Sequence, residues 1–420
     1  MSILNYEKKI NIRPGEYEEL YLKEKIYEIS DLYAHKSVKD KFRQLKANVV
    51  DLNPALVTKC IQGTEQDFVM LMNKAKEFLQ INFGNDDGLN VILLELFQQC
   101  VFGYYKITPL IKANDVSDIK IYAWNHITCK ANGERYVTNL SFDSEDDYNR
   151  WFERLVRIQR LQLNEESALQ HCTDRKGVDE YYLRIDMQLD CIVSTEDNNV
   201  HFRKIPKEKY SWEYLIKAGM LDDDMIDYLQ DRIVAGYGFL ISGKGGSGKS
   251  TLLNNMIDLI PFNESILISQ ESDELYSKIH PHLQAEHTFE IVRNGERTVY
   301  SLEDELRLGL LQDIDDFIIG EIKGGEALYV FTTAVSTGAR FLGTIHSNTA
   351  AGSVRRLAQC ARYVSDYPME TLEEMLTSTP FVLIHMSRFS IDEILEIVGW
   401  DDDKKQIIYH EVYNKKRRVA

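Results

Sequence analysis

Between residues 68 and 101 the apolar positions recur at intervals of three and four. Phe68, Leu71, Met72, Ala75, Phe78 and Leu79 form one stripe, which predicts an amphipathic helix with that face toward a core. Asn85-Asp86-Asp87-Gly88 breaks the pattern, and a second helix starts over 89–101. From about residue 107 the period falls to two. Ile119-Lys120-Ile121-Tyr122 and His126-Ile127-Thr128-Cys129-Lys130 alternate as short strands, with a turn at Ala131-Asn132-Gly133-Glu134. A helix follows from Ser144, a natural N-cap, to about residue 161, then strand-like segments over 181–189 and 200–205. The polar, proline-bearing stretch 204–210 reads as a linker. Beyond it strands and helices alternate to about residue 360, which implies a parallel sheet with crossover helices. At the end, 393–399 and 406–413 flank Asp401-Asp402-Asp403-Lys404-Lys405 as a hairpin. The expected divisions are a mostly helical N-terminal extension over 1–104, an α+β domain over 105–205 and an α/β domain over 206–420.

The chemistry begins where a short apolar strand, Phe239-Leu240-Ile241, runs into Gly243-Lys244-Gly245-Gly246-Ser247-Gly248-Lys249-Ser250 and Thr251. The spacing is that of a phosphate-binding loop. Its glycines let successive backbone N–H groups turn inward on phosphate oxygens, Lys249 supplies a charge to the β- and γ-phosphates, and the Ser250 hydroxyl suits magnesium. Leu252, Leu253, Met256, Ile257 and Ile260 then fall at helical spacing before Pro261, so a helix N-terminus adds its dipole to the anion site. ATP and Mg2+ are the expected ligands. Groups that act in open parallel sheets gather beyond the carboxyl ends of the strands. Three more apolar runs end that way: Ile266-Leu267-Ile268 before Ser269-Gln270-Glu271, Phe317-Ile318-Ile319-Gly320 before Glu321, and Phe341-Leu342-Gly343-Thr344-Ile345 before His346. Glu321 is the natural candidate to polarise an attacking water.

Charge narrows the partners. Lys and Arg number 49 against 66 Asp and Glu, a net charge of −17 in 420 residues. That balance argues against bulk binding to nucleic acid or anionic lipid, both of which need clustered cations. No apolar run approaches the ~18 residues of a membrane span, the start has no signal-peptide core, and the six cysteines include no Cys-x-x-Cys pair. A soluble, cytoplasmic chain is expected. His280-Pro281-His282 with Glu286-His287 reads as a polar loop in preference to a metal site, and Lys415-Lys416-Arg417-Arg418 as a solvated terminus.

Ile318-Ile319-Gly320-Glu321-Ile322-Lys323-Gly324-Gly325-Glu326-Ala327, followed by Gly343-Thr344-Ile345-His346-Ser347-Asn348, resembles the secretion ATPase superfamily, whose members power type II and type IV secretion and pilus assembly. The likeness is nearest to its CpaF-like Tad pilus and VirB-type branch. It implies a RecA-like P-loop NTPase domain with a parallel sheet, preceded by an α+β domain and a helical N-terminal region. It also implies that Glu271 and Glu274 belong to an acidic box, that Glu321 is the catalytic or magnesium-side acid with Ser250 and Glu271 nearby, and that His346 senses the γ-phosphate. Arg184 in Tyr-Tyr-Leu-Arg-Ile and Arg203 in His-Phe-Arg-Lys-Ile-Pro match the family's phosphate-directed arginines. Gln270-Glu271 stands where the family has Glu-Asp. Before the Glu321 strand, Leu311 and Ile314-Asp315 replace an arginine and a Pro-Asp pair, so one arginine contact is lost or Arg340 or Arg355 supplies it. The implied activity is Mg-dependent ATP hydrolysis by a ring, a homohexamer, on the inner face of the cytoplasmic membrane, with a polytopic platform protein as partner and no direct nucleic acid. A conjugation or type IV secretion ATPase and a RecA-like nucleic-acid translocase are the alternatives, and a small-molecule P-loop kinase is a third.

Overall fold

In the computed structural model, which describes residues 25–29, 36–62, 65–84, 86–176, 178–195, 197–293, 296–336 and 338–418, the chain divides into two units between Pro206 and Lys207. Residues 1–24 of the expected helical extension, and Asn85 of its break, lie outside the described residues. Among the described residues no helix is long and apolar enough to cross a membrane.

In the first unit the predicted stripe belongs to the helix Glu65–Phe83, which buries Leu71, Ala75 and Leu79. The next helix, Asp87–Phe102, starts at Asp86, whose carboxylate accepts from the Leu89 N–H at 3.2 Å. Its Leu93, Leu96 and Phe97 join the same buried cluster as Ile119, Ile121, Leu183, Ile185 and Phe202 of the sheet. Segments 1–104 and 105–205, read apart in the sequence, therefore both contribute to one core, because each offers a single apolar face that the other covers. The sheet runs in the order Ile26–Tyr27, Glu134–Thr138, His126–Ala131, Val116–Ala123, Asn199–Pro206, Tyr181–Gln188, Leu169–Asp174, antiparallel except for the first pair. Its apolar face packs on Tyr148, Trp151 and Phe152 of the helix Glu145–Ile158, which Ser144 caps. Alternation leaves Asp118, Arg184, Asp186, His201 and Arg203 together on the opposite, polar face.

The second unit is built on an eight-stranded sheet in the order Leu283–His287, Ile266–Gln270, Asp316–Ile322, Arg340–Ile345, Gly238–Gly243, Phe381–Ser387, Ser390–Asp401, Gln406–Asn414. The first six are parallel and the last two close the edge as an antiparallel hairpin. Alternate residues of each strand feed two separate cores. Leu240, Leu267, Phe317 and Ile319 meet the helices Leu302–Gly309, Ala327–Ser336 and Ala350–Ala361, whereas Phe239, Ile241, Ile268 and Ile318 meet Asp223–Val234 and Lys249–Ile257. A sheet covered on both faces explains the near-continuous apolar runs in the sequence. This is a RecA-like P-loop α/β fold. The basic tail is held in place: Lys415 Nζ donates to Ser390 Oγ at 2.8 Å and Arg417 pairs with Glu411 at 2.7 Å.

Candidate active site

The strand Gly238–Gly243 is buried throughout and delivers the phosphate loop to the helix Lys249–Ile257. Gly243, at φ 151°, admits no side chain, since a Cβ there would stand 2.3 Å from the Met386 carbonyl oxygen. The Lys249 Nζ is buried and donates to the carbonyl oxygens of Gly243 at 3.0 Å and Lys244 at 3.1 Å, which folds it back over the loop. Ser247 Oγ is buried with no hydrogen-bond partner. Lys244, Gly245, Gly246, Ser250 and Thr251 complete the turn and the first helical residues as the spacing predicts.

Strand order decides which other side chains come together. The strand ending at Ile345 lies between the loop strand and Asp316–Ile322, so His346 and Glu321 emerge side by side. His346 Nε2 is 2.5 Å from Glu321 Oε1. Glu271, at the end of the next strand over, is joined to Glu321 by Lys323, whose Nζ is 2.6 Å from Glu271 Oε2 and 3.1 Å from Glu321 Oε2. Both oxygens of Glu321 are thus engaged. Burial works to raise its pKa, but the Lys323 ammonium outweighs this, with the charges of His346 and Lys249 adding to it. The Glu321 carboxyl therefore lies below its ordinary value and is ionised at neutral pH. Lys323 responds in kind: burial lowers its pKa, and the bond to Glu271 with the charge of Glu321 raises it further than that. The backbone at Lys323 is fixed by Glu326, whose Oε1 accepts from the Lys323 N–H at 2.5 Å and the Gly324 N–H at 2.7 Å.

Gln270 does not point at this cluster. Its buried amide donates to the Leu275 carbonyl at 3.0 Å and accepts from the Leu275 N–H at 2.8 Å, bracing the loop that carries Glu271 and Glu274. Arg340, considered above as a substitute phosphate contact, is buried at the amino end of its strand, where it bonds Asp316 at 2.5 Å and also reaches Glu264 and the Ile233 carbonyl. His346 emerges from the other end of that strand, so Arg340 is structural. Arg184 and Arg203 belong to the first unit, directly opposite each other on adjacent strands. Arg184 Nε is 3.4 Å from Asp186, and His201 lies between Asp186 and Asp118, 3.2 Å from each.

Sequence reasoning missed three groups near the loop. Lys323 had a weak signal, two residues beyond Glu321 and hence on the same side of an extended chain. His385 had none; it faces Ser242 across the parallel register, its Nδ1 3.0 Å from Ser242 Oγ. Burial, with the charge of Lys249, holds that imidazole below its ordinary pKa against the pull of Asp392 and Glu393. Phe389 had none either. Among the described residues no group of three His, Cys, Asp or Glu side chains is placed to hold a metal by itself. Ser250 with the two carboxylates is nevertheless a hard-oxygen set, and magnesium in such sites completes its shell with phosphates and water.

Comparison with known proteins finds similar chains. A profile of type II/IV secretion system proteins matches residues 179–383. An uncharacterized protein of Methanocaldococcus jannaschii is 29% identical over 201 residues, 47% of this chain and 73% of that protein. A putative conjugal transfer protein of Mycobacterium tuberculosis is 24% identical over 302 residues, 70% of this chain and 83% of its own. The ATPase DotB of Legionella pneumophila matches 74% of this chain and 80% of its own at a TM-score of 0.49 and 18% identity. Over residues 179–383 the chain is thus similar to the type II and type IV secretion ATPases.

Proposed function

We propose that the protein hydrolyses Mg-ATP to ADP and phosphate at the loop 243–250, as a ring-forming motor for pilus assembly or secretion. The observation that carries this reading is the convergence of Glu321, His346 and Lys323 at the carboxyl edge that also carries the phosphate loop. The loop amides and Lys249 bind and orient the phosphates, and the unpartnered Ser247 hydroxyl has a donor to give them. Ser250, Glu271 and Glu321 would hold magnesium, which neutralises phosphate charge when bound. Glu321, ionised and below its ordinary pKa, takes the proton of the attacking water once Lys323 and His346 release its oxygens. Arg184 and Arg203 are the proposed arginine contacts to the transferring phosphoryl group. A hexamer working against an inner-membrane platform protein, in the Tad-like or VirB-type manner, is part of the same proposal, with conjugation as the alternative.

Glu321→Gln should bind ATP yet turn over at least ~100-fold more slowly, and Lys249→Ala should lose most nucleotide affinity. Fluorescent-nucleotide binding and phosphate release measure the two. Hydrolysis near the wild-type rate in both variants would sink the assignment, and a phosphorylated metabolite in place of free phosphate would make the protein a kinase.

A further inference from the structure

The strands Phe381–Ser387 and Ser390–Asp401 are joined by two residues, Arg388 and Phe389. Both are left-handed, with φ of 46° and 63°. A two-residue hairpin needs that conformation because its twist matches the flanking strands, and Asn-Gly or Asp-Gly supply it with least strain. In Arg and Phe the Cβ crowds the following carbonyl. A backbone of this kind persists where its surroundings over-determine it, and such places gather at functional sites.

The surroundings here are the phosphate loop. The strand Phe381–Ser387 runs parallel beside the loop strand with Met386 opposite Gly243, and the two backbones leave no room for a side chain between them. Phe389 extends the contact along the loop. A Cβ on Gly248 would stand 3.0 Å from Phe389 Cδ2 and 2.9 Å from Met220 Cε. Gly248 is the N-cap of the helix Lys249–Ile257 and is itself left-handed, at φ 97°. Met220 is buried, and its carbonyl accepts from the Ile391 N–H at 2.9 Å, which ties it to the strand that Phe389 leads into. Gly248 is therefore walled by two side chains that one short segment of hairpin holds in place. An Asn-Gly turn would relax the backbone and leave nothing to reach Gly248.

We propose that Phe389 is a positioning residue of the phosphate loop. Its ring, presented by a strained turn and paired with Met220, holds Gly248 in the left-handed conformation from which the chain enters the helix. The amides that follow, and the root of the Lys249 side chain, are aimed at the phosphates as a result. This rests on the nucleotide-binding reading of the loop, and it gives the Phe389 ring a part in that site without any phosphate contact of its own.

The test is ADP affinity in the full-length protein, measured by fluorescent-nucleotide titration well below each variant's melting temperature. Phe389→Ala should weaken ADP on the order of ten-fold or more, as a small misplacement of a binding group does, and Phe389→Tyr should restore it. Arg388→Asn relieves the left-handed strain and keeps the ring, so its melting temperature should not fall and its affinity should stay at wild type. Val412→Ala truncates an apolar contact to the same core from the neighbouring strand Gln406–Asn414, so it should lower the melting temperature and leave ADP affinity alone. Where Phe389→Ala fails to fold, Phe389→Leu is read the same way. A folded Phe389 variant lacking the ring that binds ADP like the wild type overturns the proposal, as does an equal loss in Val412→Ala. A wild-type protein that binds no ADP removes the nucleotide reading itself.

Discussion

His201 sits 3.2 Å from Asp118 on one side and 3.2 Å from Asp186 on the other, with Arg184 and Arg203 sharing the same polar sheet face. Burial lowers its pKa, but the two carboxylate hydrogen bonds outweigh this and carry it above the ordinary histidine value. A pKa raised on folding stabilises the native state while the group is charged in both states, and the benefit fades as pH rises through the folded value. His201→Gln should therefore cost about 1–2 kcal/mol near pH 6 and progressively less under alkaline conditions, followed by urea denaturation across pH. The same residues show what a sequence can disclose. The phosphate loop was legible because its chemistry requires neighbours in the chain: the consecutive residues 243–250 must curl around one anion. Lys323, His385 and Phe389 act across strands, and their relation to Glu271, Ser242 and Gly248 exists only once the register is set.

Elements differed in the same way. Buried parallel strands announced themselves as apolar runs, whereas Leu283–His287, a half-exposed polar edge strand, and the hairpin Phe289–Arg293 and Glu296–Tyr300 carried no alternation to read. Arg340 illustrates how strands are locked at the end away from the loop. Its guanidinium joins Asp316 of the adjacent strand to Glu264, and burial still pushes the Asp316 carboxyl up to about 7 against that partner. Arg340→Met should destabilise the protein by about 3–5 kcal/mol, because it strands a buried carboxylate. Adding Asp316→Asn should return part of the loss. Chemical denaturation of the single and double variants measures both, and additive losses would show that the pair is not coupled.

At the scale of the whole molecule, every group proposed to touch phosphate or magnesium, apart from Arg184 and Arg203, lies within 207–420, which has two cores of its own. The segment 207–420 alone should fold cooperatively and bind ADP in the same titration. Failure to bind, in a folded fragment, would mean that the loop by itself does not make the site. The double engagement of Glu321 by Lys323 and His346 also bears on how such a motor spends its time. Ion pairing at both oxygens makes that carboxylate a weaker base toward a water without filling all of its lone pairs, so on the proposed reading nucleotide on the loop is split slowly until those contacts loosen. On that reading the resting protein would be a machine with its clutch partly out. Its idle leak would be set by how often Lys323 and His346 loosen their hold, and nucleotide would stay loaded at little loss of ATP until a load arrives.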